Sequence, residues 1–200
     1  IWTTDFNIAL NRNEVKSLGG YTADAIEGGT NDTRVVVGES VGANYLVKFS
    51  HIDQETGRPV YLDLNGNPTY DWDPANRVVV GDVMPEAVGG ITNYFRYKNV
   101  DLSFLFVYSI GGKIYDSSSK RQLGPMDDWN KIPEIYDRWQ EPGDEASYAA
   151  LTTDAQNLGA PDAWINTDQW LHDASYLRLR NVVLGWNMPT KWFGKANVSN

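Results

Sequence analysis

The clearest run of potential ligand atoms in this chain is a short series of oxygen-bearing side chains around a glycine. Asp63, Asn65 and Asn67 occupy alternate positions on either side of Gly66. Alternating oxygen ligands in a glycine-containing loop are typical of calcium sites. A full loop of that kind ends in a bidentate glutamate at its twelfth position, which is Pro74 here. The pattern therefore favours a plain Asn-Gly turn and leaves calcium as the alternative.

Catalytic chemistry finds little support in the remaining polar residues. The candidates are two carboxylate pairs and two histidines: Asp71 with Asp73, Asp127 with Asp128, His51 and His172. Adjacent acids in polar loops are ordinarily solvated, and the two histidines are too far apart in sequence for a metal-ligand motif. Neither a nucleophile elbow nor a phosphate-binding loop is present. We therefore expect that the chain is not an enzyme and that it needs no cofactor.

The loops that contain these residues are predicted to connect long antiparallel strands. In 101–110 (DLSFLFVYSI), the residues from Leu102 to Ile110 at every second position form a wholly apolar face. Further strands are predicted at 2–10, 41–49, 88–97 and 176–188, with another beginning near Ala196. Ten residues give roughly 33 Å of strand, which covers the apolar band of an outer-membrane barrel when tilted. Lys98-Asn99-Val100 is predicted to be a short turn.

The amino-acid composition is compatible with strands that form the wall of a membrane barrel. The chain has 17 Lys plus Arg against 26 Asp plus Glu, a net charge of −9, and the basic residues are scattered. This balance argues against nucleic acid as a partner, since phosphate contacts need clustered cations. The absence of cysteine excludes a disulfide framework. Eight Trp and eleven Tyr would suit the aromatic girdles of a barrel, sugar-stacking surfaces or sandwich cores.

Four motifs in order carry a family resemblance. They are VGESVGANY (37–45), NRVVVGD (76–82) after an NGN turn, GGITNYFRYKNVDLSFLF (89–106) and SYLRLRNVVLGW (175–186). Together they resemble the C-terminal barrel region of the SusC/RagA-type TonB-linked outer-membrane receptors. We therefore expect an all-β chain: an antiparallel transmembrane β-barrel segment, about six strands of a barrel of about 22. Long extracellular loops and one short loop helix complete the expected fold.

The resemblance also implies a location and a function. Residues 1–200 would belong to the C-terminal barrel domain, with the plug domain and the TonB box outside this chain, and residues 113–172 would form a long extracellular loop. The whole protein would sit in the bacterial outer membrane and import oligosaccharides or peptides. Its implied partners are a SusD-like surface lipoprotein that acts as a lid, TonB–ExbB–ExbD, outer-membrane lipid, and a second receptor–lid complex in a dimer.

The long loop is predicted to carry the helix. It would begin at Asp127-Asp128, hold Pro133 in its first turns, and end at Glu141-Pro142-Gly143, with apolar residues at helical spacing. Two interpretations remain open for its aromatic residues. Its apolar face packs the loop onto the barrel rim, or Trp129, Tyr136 and Trp139 contact the substrate or the lid protein.

A second class of function remains open: a soluble all-β carbohydrate-binding module with exposed Trp and Tyr. The apolar faces of residues 2–10 and 102–110 discriminate between the two. In a sandwich these faces meet in one dry core. In a barrel both face lipid, while polar residues of the opposite face line a wet interior: Asp5, Asn7, Asn44, Lys48 and Ser103.

Overall fold

The computed structural model describes residues 1–22, 26, 32–125, 130–153, 166–189 and 192. Within these ranges the regular secondary structure is mainly antiparallel strand, with one α-helix. It divides into two compact units. The sheet unit comprises Ile1–Asn11, Pro85–Gly111 and Ala174–Asn200, and the insertion unit comprises Arg12–Met84 and Gly112–Asp173.

Eleven strands and one α-helix are present in the described ranges. In chain order they are β1 Trp2–Leu10, β2 Ala43–Leu46, β3 Lys48–Ile52, β4 Pro59–Leu62, β5 Pro68–Thr69, β6 Val78–Asp82, β7 Ala87–Tyr97, β8 Val100–Ile110, β9 Lys113–Tyr115, α1 Ser117–Leu123, β10 Leu171–Asp173 and β11 Tyr176–Trp186. The four longest strands form one antiparallel sheet in the order β1-β7-β8-β11. No described helix has both the length and the apolar character that a membrane crossing requires.

The hairpin between β7 and β8 is tight. Tyr97 pairs with Val100, so Lys98 and Asn99 alone form the connection. Lys98 has φ 53°, in the left-handed region that a residue other than glycine rarely adopts. The predicted turn is confirmed to within one residue, since Val100 already belongs to β8.

The strand predicted at 41–49 is wrong. Its residues are divided between β2 and β3, and both lie in the insertion unit. β2 pairs with β6, whereas β3 pairs with β4 in a separate sheet that also contains β5. Local alternation could not reveal this break, because each short strand has its own partner. The strand predicted near Ala196 falls outside the described residues.

The loop helix occurs at a different place from the predicted one. α1 spans Ser117–Leu123, and the Asp116 carboxylate caps it by accepting from the backbone N–H groups of Ser118 and Ser119 at 3.0 and 2.9 Å. In the described part of the predicted region, residues 130–143, the helical segment is Pro133–Asp137, a 3₁₀ turn. That turn lacks a side-chain cap, and the chain then becomes extended at Arg138, which bridges to Tyr148.

The insertion unit has an apolar core of its own. Leu123, Ile135 and Trp170 form a buried cluster, and Tyr148 stacks on Trp170 with ring centroids 6.2 Å apart. Tyr61 is also fully buried. The described parts of segments 12–84 and 112–173 therefore pack together around shared contacts. The loops predicted at 51–85 and 111–173 contribute to this unit.

Candidate functional site

One face of the four-stranded sheet is almost continuously apolar. The pairing registers place these side chains on it: Trp2, Phe6, Ile8 and Leu10 from β1; Ala87, Ile91 and Phe95 from β7; Leu102, Phe104, Phe106, Tyr108 and Ile110 from β8; Leu177, Leu179, Val182, Leu184 and Trp186 from β11. We call this set the apolar face. Many of its members are exposed, Leu184 to 72% and Leu10 to 70%. An exposed apolar surface of this extent is typical of an interface with lipid or protein.

A bulge in β11 keeps this face continuous. Leu179 pairs with Phe106 and Asn181 pairs with Leu105, so Arg180 is an extra residue without a partner of its own. Without the bulge, strict alternation would turn Val182 and the residues after it to the opposite face. The bulge therefore returns the apolar residues of the second half of β11 to the same side of the sheet.

The opposite face of the sheet is mixed and more polar. Asp5, Asn7 and Ser103 lie on it, as predicted for residues that face a wet interior. Asn44 and Lys48 were predicted to join them, and that prediction is wrong. Both belong to the insertion unit, where Asn44 is completely buried in β2.

The apolar faces of β1 and β8 distinguish a barrel wall from a sandwich. β1 and β8 lie on either side of β7 in one sheet, and their apolar faces point the same way. They do not meet across a common core, as they would in a sandwich. Within the described structure, the two faces form one exposed surface.

Aromatic side chains concentrate at the hairpin end of the sheet. Trp2 stacks on Phe95 with ring centroids 5.6 Å apart, and Trp186 meets Trp192 edge to face at 5.4 Å. Tyr97, at the same end, is 73% exposed. Aromatic rings with one apolar and one polar part are typical of the border between lipid and water.

The opposite end of the sheet carries both insertions. Leu10 pairs with Ala87, and the chain between them contributes the first part of the insertion unit. Ser109 pairs with Tyr176, and the chain between these residues contributes the second part. The connection at one end is therefore two residues long, whereas both long connections leave from the other end.

The calcium candidate forms a turn in which the Asp63 carboxylate accepts hydrogen bonds from residues of the same turn. Asp63 Oδ1 accepts from the backbone N–H groups of Asn65 and Asn67, both at 2.8 Å, and Asp63 Oδ2 accepts from Asn67 Nδ2 at 3.1 Å. These bonds lower the pKa of Asp63. The hairpin between β4 and β5 therefore forms as predicted. Among the described residues, no group of three His, Cys, Asp or Glu side chains is placed to hold a metal ion.

The structure describes two of the three aromatic candidates, Tyr136 and Trp139. Trp129 lies outside the described residues. Tyr136 is 80% exposed. Trp139 is half-buried, and its indole N–H donates to the backbone carbonyl oxygen of Gln54 at 2.7 Å. Trp139 therefore fixes the turn that follows β3.

Sequence reasoning missed a buried polar cluster in the insertion unit. Asn166 Oδ1 accepts from Lys120 Nζ at 2.5 Å and from the Tyr115 hydroxyl at 3.0 Å, and its carbonyl oxygen accepts from Trp72 Nε1 at 3.2 Å. Asp32 is buried nearby, and this burial raises the pKa of its carboxyl group. These residues come from distant segments, so no local pattern could predict them. The cluster ties those segments together.

Comparisons with known proteins place this geometry in context. No family model matches the chain. Over its whole length it is 29% identical to TonB-dependent receptor P26 of Formosa agariphila, and over 96% of its length it is 26% identical to TonB-dependent receptor SusC of Bacteroides thetaiotaomicron. The chain spans 21% and 19% of those two proteins.

Solved structures agree on the fold. The RagAB peptide transporter matches 97% of this chain with a TM-score of 0.78 at 21% sequence identity, and the chain covers 21% of the matched chain. The closed-closed state of the RagAB peptide importer gives a TM-score of 0.77. The resemblance inferred from the four motifs is confirmed: along its full length, this chain is similar to part of the TonB-dependent receptors of the SusC/RagA type.

Proposed function

We propose that this chain forms part of the wall of an outer-membrane β-barrel receptor that imports nutrients. The observation that carries the proposal is the exposed apolar face on a sheet whose other face is mixed and polar. Alternation of this kind is what a barrel wall between lipid and a wet lumen requires. The similarity to TonB-dependent receptors supports the same function.

The orientation follows from the two ends of the sheet. In outer-membrane barrels the short turns are periplasmic and the long loops are extracellular. We assign the Lys98-Asn99 turn to the periplasmic side and both parts of the insertion unit to the cell exterior. The aromatic residues near the turn would then lie at the periplasmic border of the membrane.

We further propose the partners and cargo of the whole receptor. It would import oligosaccharides or peptides beneath a SusD-like surface lipoprotein, with energy from TonB–ExbB–ExbD delivered to parts outside this chain. Similarity to SusC and to the RagAB peptide transporter supports this class of cargo and partner. Pairing of two receptor–lid complexes is part of the same proposal.

Site-directed cysteine labelling tests the wall. In the full-length receptor freed of other cysteines, Leu179→Cys would place a thiol on the apolar face and Ser103→Cys on the polar face. A membrane-impermeant maleimide should label the Ser103 variant in intact outer membranes and should label the Leu179 variant only after detergent denaturation. Equal labelling of both thiols in the membrane would contradict a lipid-facing wall.

Copurification tests the partner. The receptor would be extracted from its own membrane in mild detergent, and proteins bound in stoichiometric amount would be identified by mass spectrometry. A surface lipoprotein should accompany the receptor. A receptor that inserts in the membrane but copurifies with no lipoprotein would refute the proposed lid protein. It would not contradict the proposed barrel wall.

A further inference from the structure

A pocket of about 660 Å³ opens in the insertion unit beside β3. Its lining residues are Phe49, His51, Ile52, Gln54, Glu145, Ala146 and Ser147. The volume lies within the range of roughly 300–1,000 Å³ that is usual for small-molecule sites. A bulge in β3 at Ser50 separates Phe49 from His51, and bulges of this kind often re-aim side chains beside binding sites.

The turn that contains Gln54 forms one side of the pocket, and residues outside the lining hold it in place. The carbonyl oxygen of Gln54 accepts from Trp139 Nε1 at 2.7 Å and from the backbone N–H of Gly143 at 2.9 Å. The ring of Trp139 packs so closely on Gly57 that a side chain at that position would clash with it. Trp139 is therefore a positioning residue for this side of the pocket.

Residues 145–147 form another side of the pocket, and hydrogen bonds hold this segment in place as well. The backbone N–H of Ser147 donates to the carbonyl oxygen of Asp137 at 3.1 Å, and Gln169 Nε2 donates to the carbonyl oxygen of Ser147 at 3.2 Å. The backbone N–H of Phe49 donates to the Asp168 carboxylate at 2.7 Å. Both sides of the pocket are thus fixed before any ligand arrives. This preorganisation reduces the entropy cost of binding.

The lining combines an apolar surface with one unengaged carboxylate. Phe49 and Ala146 are partly exposed and supply the apolar surface, whereas Ile52 is buried to all but 7%. Neighbouring acids are occupied, since Asp53 accepts from Thr56 and Tyr70, and Asp144 accepts from two backbone N–H groups. Glu145 is exposed at the pocket and has neither an ion pair nor a hydrogen bond within the described part of the chain.

We infer that this pocket binds a lysine side chain of a peptide substrate, an inference that rests on the proposed function. A lysine has a four-carbon stem that packs on apolar surface and an ammonium group that seeks a carboxylate. Phe49 and Ala146 match the stem, and Glu145 matches the ammonium. A neutral pyranose would leave the carboxylate of Glu145 without a charged partner.

Binding to the full-length receptor in detergent tests this inference by calorimetry. The probes are a lysine-containing tetrapeptide and the same peptide with norleucine, which keeps the stem and removes the charge. We expect the lysine peptide to bind more tightly, and Glu145→Gln to weaken it by about two- to fivefold, the range for an exposed ion pair. The norleucine peptide should bind both proteins equally.

Two further variants sharpen the test. Glu141→Gln removes a charge from the same segment but not from the pocket lining, and it should leave the affinity unchanged. Trp139→Phe keeps the ring and removes the N–H that holds Gln54, so it should weaken both peptides alike.

Three outcomes would overturn the inference: equal affinity for the two peptides, equal losses in the Glu141 and Glu145 variants, or binding of a glucosamine oligomer in place of the peptide. Each of them leaves membrane insertion and TonB-dependent uptake intact. Failure of the proposed function would appear separately, in the cysteine labelling.

Discussion

The hydroxyl of Tyr108 on β8 donates to the backbone carbonyl oxygen of Asn7 on β1 at 3.0 Å, across the intervening strand β7. The ring passes over Gly89, where a Cβ atom would meet both the Tyr108 phenol and the carbonyl oxygen of Asn7. Phe6 stacks on the same ring with centroids 6.2 Å apart. One aromatic residue therefore links three strands of the wall, and glycine is what makes room for it.

Gly89→Ala should therefore destabilise the sheet, because the added methyl group forces the Tyr108 ring or the β1 backbone to move. We expect a loss of about 1–3 kcal/mol in the free energy of unfolding, the usual cost of overpacking. Urea unfolding of the full-length receptor in detergent would measure it.

Gly90→Ala is the matched control, since its nearest contact, the carbonyl oxygen of Phe106 at 3.2 Å, demands a smaller adjustment. Tyr108→Phe should cost about 1 kcal/mol through the lost hydrogen bond. Equal stability of the Gly89 and Gly90 variants would contradict this role for glycine.

Deletion of Arg180 should leave assembly intact, because Leu179 and Asn181 would then follow each other directly and keep their present partners on β8. Insertion of one alanine between Asn181 and Val182 should instead turn the residues from Val182 to Trp186 toward the polar face. We expect the deletion variant to be folded in the outer membrane and the insertion variant to give little folded receptor, as judged by heat-modifiable mobility on gels. Equal assembly of the two variants would show that β11 can change its register freely.

Lys98→Gly should stabilise the hairpin, because glycine adopts the φ of 53° without the strain that a Cβ atom brings. The expected gain is about 0.5–1 kcal/mol, reduced by the greater freedom of glycine in the unfolded chain. Asn99→Gly lacks this benefit and should be neutral or destabilising. Thermal unfolding of both variants in detergent decides the point.

The turn after β3 should respond to acid. Hydrogen bonds from Tyr70, from the backbone N–H of Glu55 and from Thr56 lower the pKa of Asp53 from 3.8 to about 2. Since the folded pKa lies below the unfolded one, the stabilisation is complete above about pH 4 and is lost as the pH falls toward 2.

Hydrogen exchange at residues 53–57 should therefore give smaller protection factors at pH 2 than at pH 4.5. A protection factor divides the intrinsic exchange rate at each pH by the observed rate, so it removes the effect of pH on the intrinsic rate. Asp53→Asn should lack this pH dependence. Asp71→Asn, an exposed acid outside the turn, should retain it. An identical profile in the two variants would contradict a role for the Asp53 carboxylate.

The long strands could be predicted from the sequence because their alternation is local. β1 has its predicted bounds, and β7 and β8 differ from theirs by one residue. The bulge at Arg180 could not be predicted, since it depends on pairing with β8. The helix was misplaced because apolar spacing around Ile135 resembled a helix, whereas the capping carboxylate of Asp116 marked the actual start.

The candidate site depended on longer-range information. Lys120 and Asn166 are far apart in sequence, and only the fold brings them into contact. The pocket beside β3 joins residues near position 50 to residues near 146 in the same way. The Asp63 turn could be predicted, because all of its hydrogen bonds lie within five residues.

Both long connections leave the sheet at the same end, and this arrangement affects how their sequences can change. Leu10 and Ala87 are paired neighbours, as are Ser109 and Tyr176. Each intervening segment therefore leaves and rejoins the sheet between adjacent strands, so its replacement by recombination need not alter the strand register. The pairing of the four long strands can therefore stay constant while the two segments diverge in length and composition.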